Sequence, residues 1–220
     1  MPVRRIPTNS RSLTGRLASV KGIGASDFES SLERDFLTLI EFDLDVERFE
    51  VQPVRIRYSD PEGKVRFYIP DVLIWYRKDI EPAKKMPPRL CEVKYLKDLD
   101  ANDRTFASKF NAAHRYAERR KWEFRVITEE GIRTPYLENA RFLLPHRCLP
   151  WDEPALALLL SGMRKLGKTT PQSLVESIYQ DRWARARLLP TLWKMMATEL
   201  IKADLSVKLT MTSAIWPWYQ

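Results

Sequence analysis

The chain is short of cysteine, of long apolar stretches and, at its start, of negative charge. Its 220 residues include only Cys91 and Cys148. Two isolated cysteines make neither a disulfide framework nor a zinc site, so a reducing cytosol is the expected compartment. The longest apolar run, Ala155 to Leu160, falls far below the ~20 residues that span a bilayer. The opening stretch has no apolar core of the kind a secretory signal needs. No membrane association is expected. Internal repeats and low-complexity tracts are also lacking, which sets aside solenoid and fibrous classes.

What is present is ordinary in bulk and unusual in charge. Hydrophobic residues make up 44% and charged residues 30%, as in soluble globular proteins, and the length suffices for one large domain or two small ones. The net charge is +8 with a pI near 9.5, which points to an anionic partner, nucleic acid first among them. The first 25 residues carry Arg4, Arg5, Arg11, Arg16 and Lys21 and no acidic residue. They read as a flexible basic arm over residues 1–24, lying along phosphates or simply solubilising the chain.

Ser26-Asp27-Phe28-Glu29 matches a capping box and predicts the start of a helix. Leu32, Phe36, Leu39 and Ile40 then share one face. "VERFEVQPVRIRY" and "KVRFYIP", on either side of Asp60-Pro61-Glu62-Gly63, alternate as a hairpin does. "DVLIWY" and "LCEVKYL" predict two further strands joined by an exposed loop rich in proline and lysine. An amphipathic helix over residues 102–121, marked by Phe106, Phe110, Ala113 and Ala117, leads into the strand "WEFRVIT". The order implies an α/β core with one sheet and flanking helices. Composition shifts at Pro150-Trp151. "DEPALALLLSGMRKLG" reads as helical, Thr170-Pro171 opens a second helix, and "TLWKMMATELIKAD" is a third. "LSVKLTMTSAIWPW" alternates like a small hairpin. Three helices and a hairpin are the order of a winged helix-turn-helix. The expected domains are therefore 25–149 and 150–220.

Charge inside two of these strands needs a reason, because an unpaired buried charge is costly. In a strand, Glu92 and Lys94 point one way and Val93 the other. If the two strands pair across the proline-rich loop, Asp71 lies opposite Glu92 and Lys94. Two carboxylates held so close repel, and a divalent cation relieves them. Oxygen donors suit Mg²⁺, which takes one or two carboxylates plus substrate phosphate and stabilises charge in phosphodiester hydrolysis. Lys94 beside it steadies transition-state charge. A solvated edge strand with one ion pair fits the same spacing, so the pattern alone leaves both open.

The combination of "FESSLERDFLTLIEFD", "FEVQPVRIRY", "YIPDVLIWY", "CEVKYL" and "WEFRVITEEGIR" resembles TnsA, the endonuclease subunit of TnsA–TnsB transposases, some of them CRISPR-associated. The resemblance implies a restriction-endonuclease-like fold with a PD-(D/E)xK site, followed by the family's winged helix. It makes Pro70-Asp71 the PD and Glu92-Val93-Lys94 the ExK, and it supplies Glu33 as the helix glutamate. Metal ligands would then be Glu33, Asp71, Glu92 and the Val93 carbonyl, with Mg²⁺ as cofactor and Mn²⁺ as a substitute.

The implied activity is hydrolysis of the non-transferred strand at the 5′ ends of double-stranded transposon DNA. A TnsB-like DDE transposase and a TnsC-like AAA+ ATPase, the latter on the C-terminal domain, are the implied partners. Arg115, Arg119 and Arg120 form a basic helix end suited to the DNA backbone or to solvent. Two other readings remain open, namely a stand-alone restriction or repair nuclease and a non-catalytic adaptor between DNA and the ATPase.

Overall fold

A computed structural model of the chain describes residues 13–101 and 103–219. Arg4, Arg5 and Arg11 of the expected arm lie outside the described residues. The described part opens with β1 (Gly15–Arg16), paired antiparallel to β2 (Asp27–Phe28). Arg16 is ion-paired to Asp27 at 2.7 Å. The buried carboxylate of Glu41 accepts from the Ser19 hydroxyl and from the Val20 and Lys21 N–H groups. The Lys21 ammonium donates to the Asp43 carbonyl. Residues 15–24 are thus folded rather than a free arm. A buried carboxylate that needs donors outweighs the local excess of positive charge.

The first long helix, α1 (Ser31–Phe42), begins later than Ser26. Ser30 is its N-cap, its hydroxyl accepting from the Glu33 N–H at 3.1 Å, and the Glu33 carboxylate accepts from the Glu29 N–H at 2.8 Å. The capping box is therefore Ser30 to Glu33, one turn beyond the expected one. Both quartets fit the pattern, but Phe28 is already committed to β2. Starting at Ser31 buries Leu32, Phe36, Leu37 and Ile40.

Next come β3 (Val46–Val51), β4 (Ile56–Ser59), β5 (Val65–Tyr68), β6 (Val72–Tyr76) and β7 (Arg89–Val93). They are followed by α2 (Leu96–Ala101), α3 (Asp103–Glu118), β8 (Glu123–Ile127) and α4 (Glu129–Ile132). One sheet runs β3-β6-β7-β8, with β7 and β8 parallel and the other pairs antiparallel. The parallel pair needs a crossover, which α2 and α3 provide. The expected hairpin is confined to β4 and β5. "VERFEV" leaves it at Gln52-Pro53, where Gln52 takes a left-handed φ of 49° and proline offers no N–H. Leu73, Leu90 and Phe124 stand in one register row. They pack on Ala112, Ala113 and Ala117 of α3, small side chains that let the helix approach the sheet closely. Each fully buried leucine there contributes roughly 1.5–3 kcal/mol.

The chain divides into two compact units between Arg133 and Thr134, ahead of the composition shift at Pro150. The second unit holds α5 (Pro135–Arg147), α6 (Glu153–Leu166), α7 (Pro171–Ile178), α8 (Arg182–Ala197), β9 (Ile201–Ala203) and β10 (Ile215–Pro217). α5 belongs to it because it packs on α8. Thr170 caps α7 through the Ser173 N–H at 3.1 Å, with Pro171 at the first helical position. At Gly162 a Cβ would lie 2.8 Å from Leu174 Cδ1, so glycine allows α6 and α7 to meet. β9 and β10 pair antiparallel, but the first strand lies before "LSVKL". The stretch 205–209 is held irregular by buried Asn139, which donates to the Leu205 and Val207 carbonyls and accepts from the Leu209 N–H. Among the described residues no helix is long and apolar enough to cross a membrane.

Candidate active site at the ends of the central strands

The β6–β7 register pairs Val72 with Cys91, and one step further it sets Asp71 opposite Glu92. The Asp71 N–H donates to the Cys91 carbonyl at 3.1 Å and its own carbonyl accepts from the Gln52 N–H at 2.7 Å. Its carboxylate accepts from the Val93 N–H at 2.7 Å. Backbone pairing on both sides therefore fixes where this side chain stands. Glu92 is 2% exposed. One of its oxygens accepts from the Tyr68 hydroxyl at 2.7 Å. The other pairs with Lys94 at 3.1 Å and Lys109 at 3.2 Å. The Lys94 ammonium also stands 3.8 Å from Asp71 and donates to the Val93 carbonyl at 3.1 Å. One cation thus joins two carboxylates and a carbonyl.

The electrostatics follow from that crowding. Burial raises the Asp71 pKa well above the ordinary carboxylate range, and Glu92 and Glu33 raise it further against the pull of Lys94 and the Val93 N–H. Glu33 is also raised, mainly by burial, although the Glu29 N–H and Ser30 hydroxyl hold it back. For Lys94, burial opposes the charge, but Asp71 and Glu92 more than offset it and the pKa is raised. Burial and then Glu92 push the Tyr68 phenol far up, so it stays a proton donor to that carboxylate. The Cys91 thiol is pushed up to about 12 by burial and is no nucleophile at neutral pH. Lys94 holds together two carboxylates that would otherwise repel, and Lys109 adds a second positive charge on Glu92.

Among the described residues, no three carboxylate, imidazole or thiol groups stand ready as a ligand set. Glu33 is turned into its capping box, between the Glu29 N–H and the Ser30 hydroxyl. The donors that do converge are the carboxylates of Asp71 and Glu92 and the Val93 carbonyl. They are hard oxygens already gathered on a cation, and two carboxylates plus a carbonyl suit a Mg²⁺-type ion that keeps several waters. The donor chemistry fits. Gln52, next to Asp71 in the backbone pairing, adds a side-chain oxygen that is buried without a partner.

Of the residues expected from sequence, the structure brings Asp71, Glu92, Val93 and Lys94 to one point. Glu33 interacts with Asp71 and Lys94 through its charge, while its carboxylate accepts from the Glu29 N–H and the Ser30 hydroxyl. Arg16 and Lys21 are engaged with Asp27 and Asp43. Arg115 lies in the last turn of α3 and Arg119 and Arg120 in the turn that follows it, with Arg120 over the Tyr116 ring at 3.7 Å. Sequence reasoning missed Tyr68 and Lys109. Lys109 sits over the rings of Phe106 at 4.3 Å, Tyr68 at 4.9 Å and Phe110 at 5.1 Å. The signal was there: a lysine set between two phenylalanines on the inward side of an amphipathic helix.

A family model described as TnsA-like endonuclease N terminal matches residues 43–129, and one described as TnsA endonuclease C terminal matches residues 131–205. The chain belongs to the TnsA endonuclease family. No curated protein sequence matched it. The two matches meet close to the division between the compact units. The first contains Asp71, Glu92, Lys94 and Lys109 but begins after α1, and so leaves Glu33 outside. As a TnsA-type subunit the chain is a transposase endonuclease. The family implies a divalent metal, DNA, and TnsB and TnsC partners.

Proposed function

We propose that this TnsA chain is a metal-dependent DNA endonuclease of a cut-and-paste transposon, hydrolysing the non-transferred strand at the 5′ ends of the element. The observation that carries the reading is the convergence of Asp71, Glu92 and the Val93 carbonyl on the Lys94 ammonium, the four groups that a PD-(D/E)xK arrangement would use. Asp71, Glu92 and the Val93 carbonyl would hold the ion, Mg²⁺ or in its place Mn²⁺. When bound, it supplies charge stabilisation to the phosphoryl oxygens and acidifies a water.

The rest falls to the chain. Lys94 orients the attacking water and steadies transition-state charge in a site largely shielded from solvent. Tyr68 and Lys109 hold the Glu92 carboxylate in one orientation. Glu33 adds negative potential from its capping position.

The C-terminal unit is read as a winged helix-turn-helix that meets the TnsC-like ATPase. Trp183 is 73% exposed beside a cleft of about 390 Å³ lined by Leu158, Tyr179 and Leu188, a surface suited to a protein. A TnsB-like DDE transposase would cut and join the 3′ ends. All of this belongs in a bacterial cytosol.

Metal withdrawal tests the reading. Cleavage of transposon-end duplex by the chain with its TnsB-like partner is expected in Mg²⁺ or Mn²⁺ and should vanish in EDTA. Undiminished cleavage in EDTA would refute the metal role, and cleavage without any partner would favour the stand-alone nuclease.

A further inference from the structure

A second cluster of charge lies beside the first and has no part in it. On β4, Ile56 is buried opposite Tyr68, so its neighbours Arg55 and Arg57 alternate outward. Arg115 on α3 and Arg119 in the turn just past its end are four residues apart, the Arg119 N–H donating to the Arg115 carbonyl at 3.3 Å. They stand one turn apart on one face. The two pairs line a cavity of about 250 Å³ with Ile56, Ala112 and Tyr116, and no carboxylate lines it.

Most described arginines of the unit outside this lining are ion-paired, whereas Arg48 and Arg120 are set over aromatic rings instead. Arg16, Arg34, Arg66, Arg77, Arg89 and Arg133 are each paired to an aspartate or glutamate. For the four groove arginines no ion pair is found among the described residues. Arg55 instead stands over the Phe67 ring, its guanidinium carbon 3.8 Å from the ring centre, a contact that guanidinium groups favour. All four are exposed to solvent, and like charges one turn apart oppose one another, an opposition that an anion seated among them would relieve. Planar guanidinium forks fit phosphate oxygens in pairs.

The anion follows from position. Arg115 is on the same helix as Lys109, about 9 Å along it at 1.5 Å per residue, and Arg119 follows in the turn that ends the helix. Arg55 and Arg57 share a hairpin with Tyr68. Both Lys109 and Tyr68 touch Glu92. With phosphates rising about 3.4 Å per nucleotide along one strand, the groove lies within a few nucleotides of the proposed cleavage site. We propose that the Arg55–Arg57–Arg115–Arg119 groove seats backbone phosphates of the DNA substrate and sets which phosphodiester reaches Asp71 and Glu92. This rests on the nuclease reading above for its role in positioning, though not for the binding itself.

The test is binding of the full chain to transposon-end duplex, by fluorescence anisotropy over a salt series with EDTA present so that nothing is cut. Arg115→Gln/Arg119→Gln and Arg55→Gln/Arg57→Gln are each expected to weaken binding roughly tenfold at low salt. Each should also flatten the slope of log K against log salt by about two, since each lost phosphate contact removes about 0.9. Arg115→Lys/Arg119→Lys should keep most of the slope, because charge is retained.

Parental affinity and slope in both glutamine variants, with unchanged melting temperatures, would overturn the proposal, even if they lost contact with a partner protein instead. Weakened binding in the lysine variant equal to that in the glutamine variant would point to misfolding and overturn it too. Cleavage by the parent chain is scored separately in Mg²⁺. If the parent never cuts but the glutamine variants bind poorly, the groove stands and the nuclease reading fails. If the parent cuts and the glutamine variants bind normally, the reverse holds.

Discussion

Asp71→Asn is expected to lower strand cleavage by about 10³-fold and, in EDTA, to melt at a higher temperature than the parent chain. The loss follows from removing one of two carboxylates that would hold the ion. Several kcal/mol of transition-state charge stabilisation depend on it, and each 1.36 kcal/mol is tenfold in rate. The gain in stability comes from the same side chain. Asp71 is only 17% exposed and shares its surroundings with Glu92 and Glu33, which is why its pKa is raised.

A raised carboxylate pKa means that the folded chain holds the proton more tightly than the unfolded one. Stability is then fully present below the ordinary aspartate value of 3.8. It falls as pH climbs through the folded-state value, and the penalty persists above it. Asparagine has no charge to bury and its side-chain oxygen still accepts from the Val93 N–H. The variant's advantage should therefore appear at neutral pH and fade toward pH 4. Melting curves across that range check it. A lower melting temperature for the variant at neutral pH would mean that the attraction of Lys94 outweighs the repulsion. Such an exchange of stability for function is common at active sites.

Lys109→Ala is expected to slow cleavage roughly 10- to 100-fold, the usual effect of removing a group that orients a metal ligand. Lys109 does not approach Asp71 or the Val93 carbonyl in any contact described above. Its ammonium meets Glu92 at 3.2 Å and three aromatic faces, so it acts through the carboxylate it positions. A structural readout accompanies the rate. Glu92 is buried, and losing one of its donors should destabilise the metal-free chain by about 1–3 kcal/mol. Lys109→Arg keeps charge and ring stacking and should recover most of both losses. Tyr68→Phe removes the other donor, at 2.7 Å, and should act in the same direction. Parental rates in Lys109→Ala would show that Lys94 alone suffices to hold Glu92.

The part of this site that was legible in the sequence is the part governed by strand geometry. Alternation puts Glu92 and Lys94 on one face, and pairing across a proline-rich loop brings Asp71 opposite them. Both rules are local and need no knowledge of the rest of the chain. Caps are local too, yet here two S-x-x-E quartets stand four residues apart. Only the pairing of Phe28 with Gly15 decides between them.

Partners far away in sequence were not legible. Nothing within "VERFEV" says that it pairs with β6 rather than with "KVRFY", because periodicity encodes faces and not neighbours. Lys109 and Glu92 meet only because α3 lies over the sheet on three alanines. Asn139 holds the 205–209 stretch from about seventy residues away, which turned an alternating pattern into a loop. The same distance effect hid the groove. Arg55 and Arg57 look like ordinary outward strand residues until Arg115 and Arg119 are set beside them.

The most direct test of the central claim is a strand-resolved map of products on end-labelled transposon-end duplex. It should contain Mg²⁺ and the TnsB-like partner, and compare the parent chain with Asp71→Asn. The account predicts breaks in both strands with the parent, and cuts at the 3′ ends alone with the variant, so that products shift from excised element to joined intermediates. Identical products from both would contradict it. Asp71 would then not belong to a catalytic centre, and the chain would serve the transposase as an adaptor between DNA and its ATPase.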